Sequence, residues 1–112
     1  YRVSSETEGK IAKVKKQGGR IIAVGTTVVR ALEAQMQGGK VRAGTGFTNI
    51  FLYPPAKIQA IDGLITNFHF PRSTLLMLVS CMVPRDVLLA AYREAVLAKY
   101  RFYSFGDAML II

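Results

Sequence analysis

The only histidine of the chain, His69, sits in the run Thr66-Asn67-Phe68-His69-Phe70-Pro71-Arg72-Ser73-Thr74. Imidazole is the side chain that titrates nearest neutrality, so His69 is the natural candidate for moving a proton. A structural histidine, hydrogen-bonded to hold the turn, would look the same in sequence. Thr66 and Asn67 place polar groups just before it. Arg72, Ser73 and Thr74 follow at the start of an apolar helix, a combination suited to a phosphate or carboxylate. Gly25-Thr26-Thr27, with Arg30 one turn on, is a second corner of that kind, although a threonine that only caps the helix explains it as well. Phe68, Phe70, Phe102 and Tyr103 can stack on a planar ligand or pack as core. Asp107, preceded by Gly106, has the chemistry of a ligand carboxylate and equally that of a turn or cap residue.

The elements around these residues alternate. Ser5-Glu6-Thr7-Glu8 has the spacing of a capping box and predicts a helix that carries Ile11 and Val14 on one side and ends at Gly18-Gly19. Its lysines read as a solvated face. Residues 20–24 form an apolar run bounded by glycine, the pattern of a buried parallel strand, followed by a helix through Met36. Residues 38–46 are glycine-rich and read as a mobile loop. Residues 49–53 and 58–61 predict two short strands, and the short apolar run that opens at Leu64, ahead of the polar turn, a further one. A helix capped by Ser73 runs to Met82 and is apolar on nearly every side, so it is expected to be buried. Pro84-Arg85-Asp86 starts another helix, and residues 108–112 a final strand. The class is α/β, with helices packed on a mostly parallel or mixed sheet. In such folds ligands sit at the carboxyl ends of strands, where both candidate corners fall.

Composition narrows the setting. Half the residues are hydrophobic (51%), which excludes a disordered chain, yet the net charge is +8. Mean hydropathy is positive at +0.28. A chain both this basic and this apolar is expected to be part of a larger protein or an obligate oligomer, and the lack of an initiating Met at Tyr1 points the same way. The charge suggests a polyanionic partner, most simply nucleic acid. The single Cys81 lies in an apolar run with no Cys or His at ligand spacing, against a disulfide framework or structural zinc and in keeping with a reducing cytoplasm. Apolar runs are broken at Pro84 and Arg85, well short of a membrane span.

Gly25-Thr26-Thr27-Val28-Val29-Arg30, the Thr-Asn-Phe-His core of residues 64–78, and Tyr100-Arg101-Phe102 through Phe105-Gly106-Asp107-Ala108-Met109-Leu110-Ile111 together resemble the C-terminal part of the S-adenosylmethionine:tRNA ribosyltransferase-isomerase family of queuosine biosynthesis. Pro54-Pro55-Ala56, Val28 and Cys81-Met82-Val83-Pro84 depart from the family pattern. The resemblance implies a cytoplasmic enzyme that transfers the ribosyl part of S-adenosylmethionine to 7-aminomethyl-7-deazaguanine at the tRNA wobble position and isomerises it to epoxyqueuosine, with no metal. It also implies that residues 1–112 are the C-terminal portion of an α/β domain whose N-terminal part and inserted β-barrel lie outside this chain. The partners would be S-adenosylmethionine, tRNA carrying the modified base, and the remainder of the same protein, without which the fragment is expected to be inactive.

On that resemblance His69 and Asp107 are the candidate catalytic groups, Asp107 by balancing the sulfonium or holding a ribose hydroxyl. Thr26, Thr27, Arg30, Thr66, Asn67, Arg72, Ser73 and Thr74 are candidate substrate and anion contacts, and Phe68 and Phe102 candidate base-stacking residues. The competing expectation is a basic α/β module that binds tRNA and has no catalysis of its own.

Overall fold

Three strands at the centre of the molecule decide where everything else lies. The computed structural model describes residues 1–70 and 73–112. In chain order its elements are β1 (Arg2–Val3), α1 (Ser5–Lys16), β2 (Ile22–Val24), α2 (Thr26–Ala34), β3 (Met36–Gln37), β4 (Lys40–Val41), β5 (Gly44–Thr45), β6 (Gly63–Asn67), α3 (Thr74–Ser80), α4 (Arg85–Leu97), a single 3₁₀ turn (Tyr103–Phe105) and β7 (Ala108–Ile111). The central sheet has the order β2-β6-β7, with β2 parallel and β7 antiparallel to β6. It is therefore a mixed sheet in an α/β arrangement.

The sheet is covered on one face. Ala23, Leu64, Thr66 and Ile111 point into the core, where Val29 of α2 and Leu78 and Val79 of α3 are fully buried against them. The other face carries Ile22, Val24, Ile65, Leu110 and Ile112, all exposed. The continuous apolar run at residues 20–24 predicts a strand buried on both sides; only Ala23 is buried. Gly63 is where the strands approach most closely, since a Cβ there would lie 2.6 Å from Ile22 Cδ1 and 3.0 Å from the Ile111 carbonyl.

Several local expectations are revised. The cap of α1 is Ser4, whose Oγ accepts from the Thr7 amide at 3.1 Å, and not Ser5. Glu8 consequently does not close a capping box. Its carboxylate accepts from the Ala43 amide at 2.7 Å and from Arg42 at 3.1 Å, tying α1 to the segment after β4. The amide first, and then the guanidinium, hold the Glu8 carboxyl below its ordinary range. The glycine-rich run expected to be a mobile loop forms structure at both ends. Gly38 and Gly39, with φ of 56° and 74°, make the tight turn of the β3–β4 hairpin, and β5 pairs with β1. Both turn residues need the left-handed region that glycine enters without penalty.

Residues 49–53 and 58–61 are not strands. They belong to an irregular crossing over residues 46–62 that buries Leu52, Ala60 and Ile61. The Gln59 and Ala60 amides bond to Glu33 Oε1, both at 2.6 Å, so a side chain takes the place of a neighbouring strand. The helix expected through Met82 ends at Ser80 and is only half buried. Leu78 and Val79 are enclosed while Met77 is 42% exposed. In α4 the buried positions are Leu88, Tyr92 and Ala95, and Ala91 faces solvent.

Candidate functional site at the carboxyl edge of the sheet

Because β2 and β6 are parallel and adjacent, the turns that follow them open on the same edge. The Gly25 amide bonds to the Ile65 carbonyl at 2.8 Å, which fixes the start of α2 beside the end of β6. β7 runs the other way, and its first residue, Ala108, pairs with Asn67. Three turns, Gly25-Thr26-Thr27, Asn67-Phe68-His69 and Gly106-Asp107, therefore share one edge.

Polar groups are concentrated there. Among the described residues the buried polar or charged side chains are Thr26, Thr66 and His69, at 9%, 6% and 9% exposure. His69 Nε2 lies 3.0 Å from Thr66 Oγ1, and the bond runs in either direction according to the imidazole tautomer. The His69 backbone amide donates to the Tyr92 hydroxyl at 2.8 Å. Burial lowers the His69 pKa below its ordinary value, so the ring is neutral at pH 7. Burial likewise raises Tyr92, partly offset by the His69 amide it accepts from, and the phenol stays protonated.

Thr26 and Thr27 open α2, but neither caps it. The cap position is Gly25, at φ 91°, and no side chain bonds the first amides of the helix. Thr26 is buried and Thr27 exposed. One turn on, Arg30 has a buried Nε with no hydrogen-bond partner among the described residues. A buried donor without an acceptor is unfavourable by about 1–3 kcal/mol, which makes this corner receptive to an anion.

Other expected residues are occupied elsewhere. Asn67 Nδ2 donates to the Asp107 carbonyl at 3.1 Å. The Asp107 carboxylate accepts from the Arg101 amide and, at 3.4 Å, from Arg101 Nε. These contacts, the amide first, hold its carboxyl below the usual range and close the loop from residue 101 to 107. Ser73 Oγ caps α3 by accepting from the Leu76 amide at 3.2 Å, so it is not a free ligand hydroxyl, and Thr74 is the exposed first residue of that helix. Arg72 lies outside the described residues.

The aromatic residues divide in two. Phe68 is 4% exposed and packed among Tyr92, Tyr100 and Phe102, with Phe102 stacked on it at 5.0 Å. Phe102 is in turn held edge-on by Tyr92 and Tyr103. Phe68 is thus part of the core, and Phe102, half-buried, packs against it with one ring face covered by Phe68. Phe70, by contrast, is 60% exposed and stacked on Tyr103 at 3.7 Å. Tyr103 is held with φ of 61°, a conformation unfavourable for a residue with a Cβ, and its amide bonds to the Phe68 carbonyl at 2.9 Å.

Tyr92 is the neighbour of His69 that sequence reasoning does not single out. The available signal was a tyrosine on an otherwise aliphatic buried stripe, since a buried phenol needs a partner for its hydroxyl.

The chain matches, over residues 1–111, a family model described as queuosine biosynthesis protein. It is 56% identical over 113 residues to the S-adenosylmethionine:tRNA ribosyltransferase-isomerase of Pelotomaculum thermopropionicum and 60% identical over 114 residues to that of Heliobacterium modesticaldum, covering 100% of this chain in each case. It spans about a third (33%) of the length of these curated relatives. The crystal structure of S-adenosylmethionine tRNA ribosyltransferase from Thermotoga maritima superposes with a TM-score of 0.93 at 50% identity, covering 100% of this chain and 40% of that one. With a match across all but its last residue, the chain belongs to the queuosine biosynthesis protein family.

Proposed function

We propose that this chain is the C-terminal portion of the α/β domain of an S-adenosylmethionine:tRNA ribosyltransferase-isomerase. The substrates are S-adenosylmethionine and tRNA carrying 7-aminomethyl-7-deazaguanine at the wobble position, and the product is epoxyqueuosine. The reaction is cytoplasmic. The observation that carries this reading is the gathering of Thr26, Thr66 and His69, the buried polar side chains among the described residues, at one edge of the sheet, with Arg30, whose buried Nε has no hydrogen-bond partner among the described residues, one turn into α2. Thr66 and His69 satisfy each other by a hydrogen bond, and the cluster coincides with the strand ends at which α/β folds bind ligands.

Neutral His69 is positioned to accept a proton, oriented by Thr66 through Nε2 and by Tyr92 through the backbone. Arg30 and the uncapped amides of α2 hold an anionic group, the carboxylate of the methionine moiety or a tRNA phosphate. Phe70 on Tyr103 offers a flat aromatic face for a nucleobase, and Asp107 acts by closing the loop that carries Tyr103. The open sheet face of Val24, Ile65 and Leu110 is covered by the remainder of a longer protein, which also completes the active site. The fragment is therefore inactive alone.

The test is substitution in the full-length protein, following adenine release and tRNA affinity separately. His69→Ala is expected to abolish turnover with tRNA affinity retained. Parallel loss of both would favour the second reading, a basic tRNA-docking module, which the net charge of +8 supports.

A further inference from the structure

A second feature lies away from this edge. α2 starts at the carboxyl end of β2 and is nine residues long, so its far end, where the β3–β4 hairpin begins, is about 13 Å away. The C-terminal half of α1, which leads into β2, lies against that hairpin, and the two enclose a cavity of about 390 Å³. Ile11, Ala12, Met36 and Val41 line it, and Lys15, Lys16 and Lys40 stand around it with no carboxylate among the lining residues.

The helix dipole accounts for lysines in the last turn of α1. It does not account for Lys40, which comes from a different element and brings a third ammonium group to the same cavity. The acids of α1 are engaged elsewhere, Glu6 with Lys10 and Glu8 with Arg42 and Ala43. Lys15 is oriented by donating to the Gln59 carbonyl at 3.1 Å. Like charges drawn together from two elements, without a neutralising carboxylate, form a site for an external anion. The apolar lining suits the carbon faces of sugars, and the lysines suit the phosphates between them.

We infer that the cleft between α1 and the β3–β4 hairpin holds the phosphodiester backbone of RNA, remote from the carboxyl-edge site. This rests on the tRNA reading above and adds a second anchoring point to it. Interactions with the backbone position a substrate without reading its sequence.

The test measures the affinity of the full-length protein for a tRNA transcript across a series of KCl concentrations. Lys16→Gln with Lys40→Gln is compared with Lys57→Gln and Arg93→Gln, an equal loss of charge outside the cleft, and circular dichroism confirms the fold of both. The cleft pair is expected to lower the magnitude of the log affinity–log salt slope by about 1.4, some 0.7 for each single-strand phosphate that is no longer neutralised, and the control pair by much less. Equal slopes for the two pairs would overturn the cleft while leaving the tRNA reading intact. Absence of salt-dependent tRNA binding by the unaltered full-length protein would overturn both. Binding to anionic phospholipid vesicles that tRNA cannot displace would overturn the assignment in favour of a lipid surface.

Discussion

The two faces of the central sheet are built from the same strands and meet opposite environments. On one face Ala23, Leu64 and Ile111 lie side by side in register and are buried at 2%, 0% and 7% exposure. One residue along, Val24, Ile65 and Leu110 also lie side by side, and are 67%, 37% and 57% exposed. Both rows are aliphatic. Hydrophobicity here records two packing layers, and the chain itself supplies one. A parallel strand pair is ordinarily covered on both sides, and here the second cover is the one assigned above to the remainder of a longer protein.

The largest effect that separates the faces is expected from Leu64→Ala. Emptying a fully buried leucine site should destabilise the chain by about 2–5 kcal/mol, read from urea denaturation. Ile65→Ala, next along the same strand and 37% exposed, should lose only about 1.5 kcal/mol, because the removed atoms are partly solvated already. Equal losses would show that the open face is covered in solution. Next, Thr66→Val keeps the shape of the buried face but strands the His69 ring nitrogen. A loss of about 1–3 kcal/mol is expected, with a changed imidazole tautomer in nitrogen NMR. Tyr92→Phe removes the acceptor of the His69 amide and should give a loss of the same order, visible as faster exchange of that amide.

A smaller effect follows from pH. The folded-state pKa of His69 is depressed, so the unfolded chain takes up the proton first as pH falls. The contribution to stability is fully present above the unfolded value of about 6.5 and is lost as pH falls from there through the folded value. His69→Gln should flatten stability over that window, and an unchanged pH profile would show that the ring is not desolvated. The smallest expected change is from Val24→Thr on the open face, within about 0.5 kcal/mol, accompanied by weaker binding of an apolar dye.

Much of the frame was legible because local chemistry and tertiary structure agree. Gly18-Gly19 and Gly25 bound β2, the apolar run opening at Leu64 lies in β6, which continues through Asn67, Ser73 caps α3, and the last residues form β7. The failures have a common cause, which is that distant groups satisfied the backbone. Residues 58–61 look extended but bond to Glu33, some 26 positions earlier, in place of a strand. Glu8 has the spacing of a capping residue and is engaged 35 positions away by Ala43. For the site, Thr66 and His69 could be found from residue type and position, whereas the partnership with Tyr92 required α4 to fold back over the turn. That Phe68 and Phe102 pack as core was one of the two readings open in sequence, and the rings that decide it come from α4 and from residues 100–103.

Tyr103 has a consequence for how this region would respond to selection. Its left-handed backbone suits glycine or asparagine, while its ring lies flat against Phe70. Variants chosen from a saturation library only for heat resistance should accumulate Gly or Asn at this position. Variants of the whole protein chosen for turnover should keep an aromatic ring there, and the two lineages would diverge first at residue 103.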